Sequence, residues 1–288
     1  ADKLKGVTQP TIYRVNELAA RILLSRVYLY MGEWQLALDE CQKALNLGNV
    51  ELMDLNSFPG REENRYILDV ENPEIIFTQG YSATNVFYKN ISYFTICSFS
   101  CSEELISLYN SFDDQVIKDL RLNAFFEDNG DEQYRVSKVG EKVYDCFAIR
   151  SVELYLNKAE AEAMLDKAEA IQTIKTLLNN RFEGGIPDID GLSGKDLVSF
   201  IRDERRRELC FEAHRWFDLR RYAVSPKYPE KKSIRHTAYD IKGKLEGDYV
   251  LKPYGEDPAW VLPIPGYEIV YNQGNLVDNP QRVERELE

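Results

Sequence analysis

The sequence has little histidine, methionine or cysteine, and it has no long apolar run. Among its 288 residues are two histidines, three methionines and five cysteines, and no two cysteines form a C-x-x-C motif. Histidine-based metal sites, cysteine zinc sites and Ser-His-Asp triads therefore have little to build on. No apolar run approaches the roughly 20 residues that cross a bilayer, which excludes a membrane-spanning helix.

Basic residues are in the minority. The chain carries 36 Lys and Arg against 48 Asp and Glu, a formal net charge of −12. Nucleic-acid phosphates and anionic membrane surfaces are both bound through positive charge, so this balance argues against either partner. Hydrophobic residues at 44% and charged residues at 29% are typical of a globular protein that buries a sizeable core.

Aromatic residues are plentiful, with 18 Tyr, 13 Phe and 3 Trp making up 12% of the chain. Two interpretations stay open. Aromatic side chains dominate the energetics of protein cores, so these residues fit a tyrosine-rich core. Alternatively, some of them form an exposed surface on which a ligand stacks.

The first 50 residues predict a pair of helices. Apolar residues recur every three or four positions over 11–31, Gly32 ends that helix, and a second helix is predicted over Trp34–Leu47. The pair carries the spacing of a tetratricopeptide unit, which cannot bury its own face without neighbours. The matching residues are Leu24, Tyr28, Gly32, Trp34, Ala37, Ala44 and Leu45.

The rest of the chain predicts more helices with irregular material between them. A second antiparallel pair is predicted at Arg150–Leu165 and Ala168–Asn180, and one long helix at Lys195–Tyr222. The intervening segments predict strand and loop over 73–101, a short helix over Ser102–Asn110 capped by Ser102, a hairpin around Asn129-Gly130 and strand-like runs over 223–262. The fold class is therefore mainly α, with tetratricopeptide-like antiparallel helix pairs and a subordinate irregular layer of loops and short strands.

Seven motifs follow one another in a specific order. They are NPEIIF (72–77), DLR (119–121), IRSVELYLNKAEA (149–161), NNR (179–181), RDERRRELCFEAHRWFDLRR (202–221), LPIP (262–265) and NQGNLVDNP (272–280). Their order and spacing resemble the SusD/RagB family. The fifth motif is the most specific, because it is similar to the family's ERxxELxxEGxRxxDLxR signature, with Ala213 where the family usually has glycine.

The resemblance implies a function and a location. Family members are lipoproteins on the surface of the Bacteroidota outer membrane that serve polysaccharide utilization and nutrient uptake. They bind glycans without catalysis or a cofactor, and they cap a SusC-type TonB-dependent transporter. By this resemblance, residues 1–50 are expected to be the tail of the family's N-terminal region, and residues 51–288 its RagB/SusD-type C-terminal region. By the same resemblance, the signal peptide and the lipidated cysteine that anchor members to the membrane are expected to belong to a segment other than residues 1–288.

The charges of the signature motif allow two interpretations. Glu204, Glu208 and Glu212 recur every four residues, so they share one face of the predicted helix. Carboxylates one turn apart can form an acid/base pair, or they can pair with arginines three residues away in a salt-bridged helix. The family resemblance favours salt bridges, whose loss is costly where they are buried.

The richest candidate for a ligand site is the aromatic stretch from Tyr81 to Phe99. Flat apolar faces suit sugar rings, and interspersed Asn85, Asn90 and Ser92 offer hydrogen bonds to hydroxyls. The alternative is that about half of these aromatics are buried beneath the helices. Tyr254 and Trp260 are weaker candidates in another irregular region. The residues predicted to contact a glycan are Tyr81, Phe87, Tyr88, Tyr93 and Phe94.

Two other functions remain as alternatives. A tetratricopeptide scaffold that binds a peptide or partner protein would hold the peptide carboxylate with basic and Asn residues, and Arg14, Asn16, Arg21 and Arg26 lie on the first predicted helix. A glycoside hydrolase would need two carboxylates roughly 5–9.5 Å apart in a cleft. Nothing in the sequence singles out such a pair among the 48 acidic residues.

Overall fold

The computed structural model describes most of the chain and divides it into two compact units, residues 1–215 and 216–288. The described residues are 1–48, 50–63, 65–79, 101–112, 116–128, 130, 134–139, 148–240, 242–282 and 286–288. The predicted domain boundary near residue 50 stays a prediction.

The described helices confirm the mainly α fold. The first unit holds α1 (Glu17–Met31), α2 (Trp34–Asn46), α3 (Glu103–Asn110), α4 (Arg121–Phe125), α5 (Ser151–Met164), α6 (Glu169–Leu178) and α7 (Gly194–Glu208). Helix α8 (Arg215–Ala223) begins at the last residue of that unit, and α9 (Gly266–Tyr271) lies in the second unit. Short 3-10 turns lie at Asp2–Leu4, Leu55–Ser57, Arg61–Glu63 and Pro258–Trp260.

Eight short strands pair two by two in the described part of the chain, always antiparallel. In the first unit β1 (Ile75–Thr78) pairs with β5 (Ala148–Arg150), β2 (Lys118–Asp119) with β6 (Phe182–Glu183), and β3 (Phe126–Asp128) with β4 (Tyr134–Val136). In the second unit β7 (Ile234–Tyr239) pairs with β8 (Leu245–Leu251). The β3–β4 ladder confirms the hairpin predicted around Asn129-Gly130, and the β7–β8 ladder matches the strand-like runs predicted over 223–262.

Both predicted helix pairs are present, and they share a core. Helix α2 packs on α1 and on α5, and α5 packs in turn on α6 and α7. Ala37 and Ala44 are fully buried, which lets α1 and α2 approach closely, while Tyr28 and Trp34 pack beside them as the tetratricopeptide spacing predicts. Twelve of the fourteen residues of α5 are buried, so this helix forms the centre of the unit.

Two predicted helix boundaries were wrong. Helix α1 begins at Glu17 rather than Thr11, because the Asn16 side chain accepts a hydrogen bond from the Ala19 amide (2.8 Å) and caps the first turn. The helix predicted over Lys195–Tyr222 is broken into α7 and α8. Between them Phe211 (φ 61°) and Ala213 (φ 63°) adopt left-handed backbone angles that no helix contains.

The Ser102 cap of α3 is confirmed. Its hydroxyl accepts a hydrogen bond from the Leu105 amide (3.3 Å), and Glu103 and Glu104 occupy the first turn, where negative charge complements the helix dipole.

Candidate functional site

A cluster of opposite charges lies fully inside the first unit, and we call it the ion network. Its ten members are Glu74, Asp119, Arg121, Lys138, Arg150, Arg181, Glu204, Arg207, Glu208 and Glu212. Every side chain is at most 3% exposed, and the five acids balance the five bases. Buried charges persist only when they are paired and hydrogen-bonded, and this cluster meets both conditions.

One end of the ion network is centred on Arg121. Its guanidinium donates to Asp119 (Nη2–Oδ2, 2.7 Å) and to Glu204 (Nη1–Oε2, 2.8 Å). Glu204 also accepts from Arg207 three residues along α7 (Nε–Oε1, 2.8 Å), as the i, i+3 spacing predicts. These contacts tie the short strand β2 to helix α7.

The other end of the ion network is centred on Glu74 and Glu208. Arg181 donates to both carboxylates, at 2.6 Å to Glu74 Oε1 and 2.9 Å to Glu208 Oε2. Arg150 donates to Glu74 Oε2 (2.6 Å) and to Glu212 Oε1 (2.7 Å), and Lys138 also reaches Glu212 (2.5 Å). Five segments that are distant in sequence therefore meet at one point.

The carboxylates of the signature motif form no acid/base pair. Burial raises the pKa of Glu208, but Arg181, Arg150 and Arg121 outweigh it and leave that pKa well below its usual value. The pKa values of Glu204 and Glu212 are lowered in the same way by the cations beside them. A general acid needs a raised pKa and access to substrate, and these three buried carboxylates have neither. The salt-bridged interpretation is confirmed, with the charges buried rather than solvated.

The ion network explains why the scattered sequence motifs occur together. NPEIIF supplies Glu74, DLR supplies Asp119 and Arg121, IRS supplies Arg150 and NNR supplies Arg181. Sequence reasoning recognised these motifs but paired the signature glutamates only with near neighbours on the same helix. The signal that it missed is a set of single Arg residues, each next to a short strand and far from the signature.

Two of the three basic residues proposed to hold a peptide carboxylate are paired within the chain. Arg21 is buried and donates to Glu17 (2.6 Å) and Glu40 (2.9 Å). Arg26 donates to the buried Glu153 from both Nε (2.5 Å) and Nη2 (2.6 Å). Since Asn16 caps α1, three of the four residues on which the peptide-binding alternative depended already have structural roles.

The predicted glycan-binding residues lie outside the described part of the chain. Tyr81, Phe87, Tyr88, Tyr93 and Phe94 all fall between residues 80 and 100. The structure does describe two residues that flank this stretch. Thr78 pairs with Ala148 across the β1–β5 ladder and donates its amide to the Ile12 carbonyl (3.1 Å), and Cys101 donates its amide to the Tyr134 carbonyl (2.8 Å).

The ion network holds the start of β1, the strand that precedes that stretch in sequence. Glu74 precedes β1, and its carboxylate binds Arg150, the last residue of the paired strand β5. The Glu74 carbonyl accepts from the Ser151 amide (2.9 Å), and Glu74 Oε1 accepts from the Met53 amide (2.9 Å). The start of β1 is thus fixed by side-chain and backbone bonds together.

The two weaker candidates belong to an aromatic cluster in the second unit. Trp260 is 2% exposed, its ring packs on Trp216 (centroids 4.3 Å apart), and its Nε1 donates to the Lys252 carbonyl (2.7 Å). Tyr254 packs edge-on against Trp260, and the Arg220 guanidinium lies over the Tyr254 ring (4.9 Å). Trp260 is buried by this packing, so it offers no platform for a sugar.

Neither metal ligation nor membrane crossing is indicated where the structure describes the chain. In those residues no group of three or more His, Cys, Asp or Glu side chains is placed to hold a metal ion. No described helix combines the length and the apolar character that crossing a bilayer requires. Burial raises the pKa of the Cys41 thiol to about 12, so this cysteine is protonated and unreactive.

Comparison with known proteins assigns the family. The SusD family model matches residues 121–281, more than half of the chain, and this span contains every ion-network residue except Glu74 and Asp119. The chain belongs to the SusD family. Its resemblance to SusD-like folds, with helix pairs of the tetratricopeptide type, is therefore confirmed.

Individual SusD relatives agree with this assignment. The SusD-like protein P2 of Formosa agariphila is 26% identical over 147 residues, which cover 46% of this chain and 25% of that protein. Among solved structures, a Bacteroides vulgatus protein described as sugar binding has a TM-score of 0.70 and 27% identity, covering 93% of this chain and 60% of its own. A SusD-like carbohydrate-binding protein of the same organism has a TM-score of 0.63 and 19% identity, covering 94% of this chain and 61% of its own.

Proposed function

We propose that this protein binds a glycan at the cell surface without catalysis and delivers it to a SusC-type TonB-dependent transporter in the outer membrane. Membership of the SusD family carries the proposal, and the solved relative at 27% identity, which is described as sugar binding, supports it. The chain spans about 60% of the length of that relative. The glycan, the transporter and the lipid-anchored location are proposed for the whole protein.

We place the glycan contacts at Tyr81, Phe87, Tyr88, Tyr93 and Phe94. Their aromatic faces match the apolar faces of sugar rings, and the amides among them match sugar hydroxyls. The described structure supports a fixed strand leading towards this stretch, since the ion network joins Glu74, just before β1, to Arg150, the last residue of the paired strand β5. A site on a rigid frame loses less conformational entropy when it binds.

Affinity electrophoresis tests the proposal. The chain is run through gels that contain plant, host or microbial polysaccharides, and we expect one class to retard it. Ala substitution of Tyr81, Tyr88 and Tyr93 together is expected to abolish the retardation. The matched control replaces Tyr267 and Tyr271, which are 65% and 83% exposed in the second unit, and should leave the retardation unchanged.

Each outcome bears on a different part of the proposal. Retardation that survives the triple substitution would place the site elsewhere, and retardation lost in the control would place it in the second unit. No retardation by any polysaccharide, either for this chain or for the full-length protein, would count against glycan binding and favour a protein partner. Release of reducing ends from a retarding polysaccharide would contradict the non-catalytic role. Failure of the full-length protein to co-purify with a TonB-dependent transporter would contradict delivery.

A further inference from the structure

The last described residues of the chain pair with the outer edge of β8. The Asp248 amide donates to the Glu288 carbonyl (3.3 Å), and the Glu288 amide donates to the Asp248 carbonyl (3.1 Å). Two residues that exchange both hydrogen bonds in this way form a hydrogen-bonded antiparallel pair. Residues 286–288 therefore lie along β8 in the position of a third strand.

The edge that these residues cover belongs to a two-stranded hairpin. Thr237 of β7 lies opposite Asp248, and the two exchange no backbone bonds, because the Asp248 amide and carbonyl point to the other side of β8. An exposed strand edge of this kind is a template for pairing with another chain. A hairpin of only two strands is also marginally stable by itself, so a third strand stabilises it.

Gly247 makes room for the third strand. Its φ of +148° is one that other residues rarely adopt, and a Cβ there would lie 2.9 Å from the Glu288 carbonyl oxygen and 3.2 Å from Leu287 Cβ. Any side chain at this position would therefore push residues 287–288 off the edge. Gly243, in the turn of the same hairpin, has a φ of +78°, and a Cβ added to it would meet nothing within 4 Å.

The side chain of Asp248 is already engaged on the β7 side. Its carboxylate accepts hydrogen bonds from Arg235 Nη1 (2.6 Å) and from Thr237 Oγ1 (2.7 Å). The carboxylate is therefore committed to the hairpin itself, and the edge holds residues 286–288 through the backbone and through the fit of Leu287 over Gly247.

We propose that residues 286–288 act as a guard strand. They occupy a strand-addition site on the outer edge of β8, and their presence prevents this edge from pairing with the β8 edge of a second copy. A second copy fits the freed edge because two identical antiparallel edges can pair about a two-fold axis. The exposed Leu245 and Tyr249 on β8, 58% and 38% exposed, would then gain contacts across that axis.

Amide hydrogen exchange at single residues tests the guard strand. In the unaltered chain we expect the Asp248 amide to be protected. Gly247→Ala should displace the strand by collision, and Glu288→Pro should remove its donor without changing the hairpin. Gly247→Ala should break both hydrogen bonds, and Glu288→Pro should break one and weaken the other, so exchange at Asp248 is expected to speed up by about tenfold or more in either variant. Tyr249, whose backbone faces β7, serves as the internal standard, and Gly243→Ala controls for losing a glycine from this hairpin.

The outcomes separate the two parts of the proposal. An Asp248 amide that exchanges as freely in the unaltered chain as in both variants would overturn the guard strand. Sedimentation of the Glu288→Pro variant over a range of concentrations then tests the second part. We expect it to dimerise at concentrations where the unaltered chain is monomeric. Faster exchange at Asp248 without dimerisation would support the third strand in the unaltered chain but overturn its role in preventing dimerisation.

Discussion

The two units of this protein place their charged and apolar residues in opposite ways. The first unit, residues 1–215, buries ten charged side chains in the ion network and surrounds them with helices. Among the described residues of the second unit, 216–288, five are buried, and large apolar side chains such as Leu262, Val270 and Tyr271 are more than 70% exposed. Strong internal pairing in one unit thus contrasts with a largely exposed apolar surface in the other.

Charge pairs of the same length are expected to contribute differently to stability in the two units. The Arg181–Glu208 and Lys231–Glu256 contacts are both 2.9 Å long. The first pair is 1% exposed or less, whereas the side chains of the second are 57% and 48% exposed. Water screens the second pair and re-solvates either partner when the other is lost, but it cannot reach the first pair.

The largest effect is therefore expected from removing a buried partner. Glu208→Ala removes one of the two carboxylates that Arg150 and Arg181 share, and we expect it to lower the free energy of unfolding by about 3–5 kcal/mol. The matched variant Glu256→Ala in the second unit should cost about 0–1 kcal/mol. Urea unfolding followed by circular dichroism measures both. Equal losses would show that burial does not separate the two classes of charge pair.

Lowering the pH tests the same comparison between buried and exposed charges. The stability lost for any one carboxylate is expected to be slightly smaller than for Glu208→Ala. Burial raises the pKa of Glu153, but Arg26, His214 and Arg205 outweigh it and lower that pKa to about 2. A carboxylate whose pKa is lower when folded stabilises the protein above its unfolded pKa of about 4.5, and this stability is lost as the pH falls towards 2. The expected loss for Glu153 alone is roughly 3 kcal/mol, to which the buried glutamates of the ion network add.

The measurement is an acid titration of the helical signal, which comes mostly from the first unit. We expect the urea concentration at the midpoint of unfolding to decrease as the pH is lowered from about 4.5 to 2. Glu153→Gln should reduce part of that fall, and Glu256→Gln, at an exposed position, is the charge-matched control. A curve that is flat from about pH 5 to 2 would show that the buried carboxylates are not bound more tightly as anions in the folded state.

Local patterns in the sequence were sufficient to predict the elements that are stabilised by residues close to them in sequence. The tetratricopeptide spacing of Ala37 and Ala44 predicted the α1–α2 pair, and the Ser102 cap predicted the start of α3. The start of α1 was missed because the apolar period continues from Thr11, while the decisive feature is a single bond from the Asn16 side chain. The predicted glycan-binding aromatics lie outside the described residues and stay a prediction.

The break between α7 and α8 was missed for a different reason, since its cause lies far away in sequence. Lys138 donates to the carbonyls of Glu208 (2.7 Å) and Cys210 (3.1 Å), and Arg150 donates to the Glu208 carbonyl (3.2 Å). Buried cations thus take over carbonyls that a continuing helix would use. The local sequence ELCFEAHR contains neither glycine nor proline, so no nearby signal marks the break.

The smallest effect is expected at Ala213, where the SusD signature usually has glycine. Alanine and glycine differ by a single methyl group, but Ala213 has a φ of 63°, where glycine avoids the strain that a Cβ brings. Ala213→Gly should therefore raise the free energy of unfolding by about 0.5–1 kcal/mol, net of the entropy that glycine adds to the unfolded chain. Ala20, a half-buried residue inside α1, is the matched control, and Ala20→Gly should lower the free energy of unfolding by about 0.5–1 kcal/mol. Both are measured by urea unfolding, and changes of the same sign would mean that the turn after α7 is held without backbone strain at this residue.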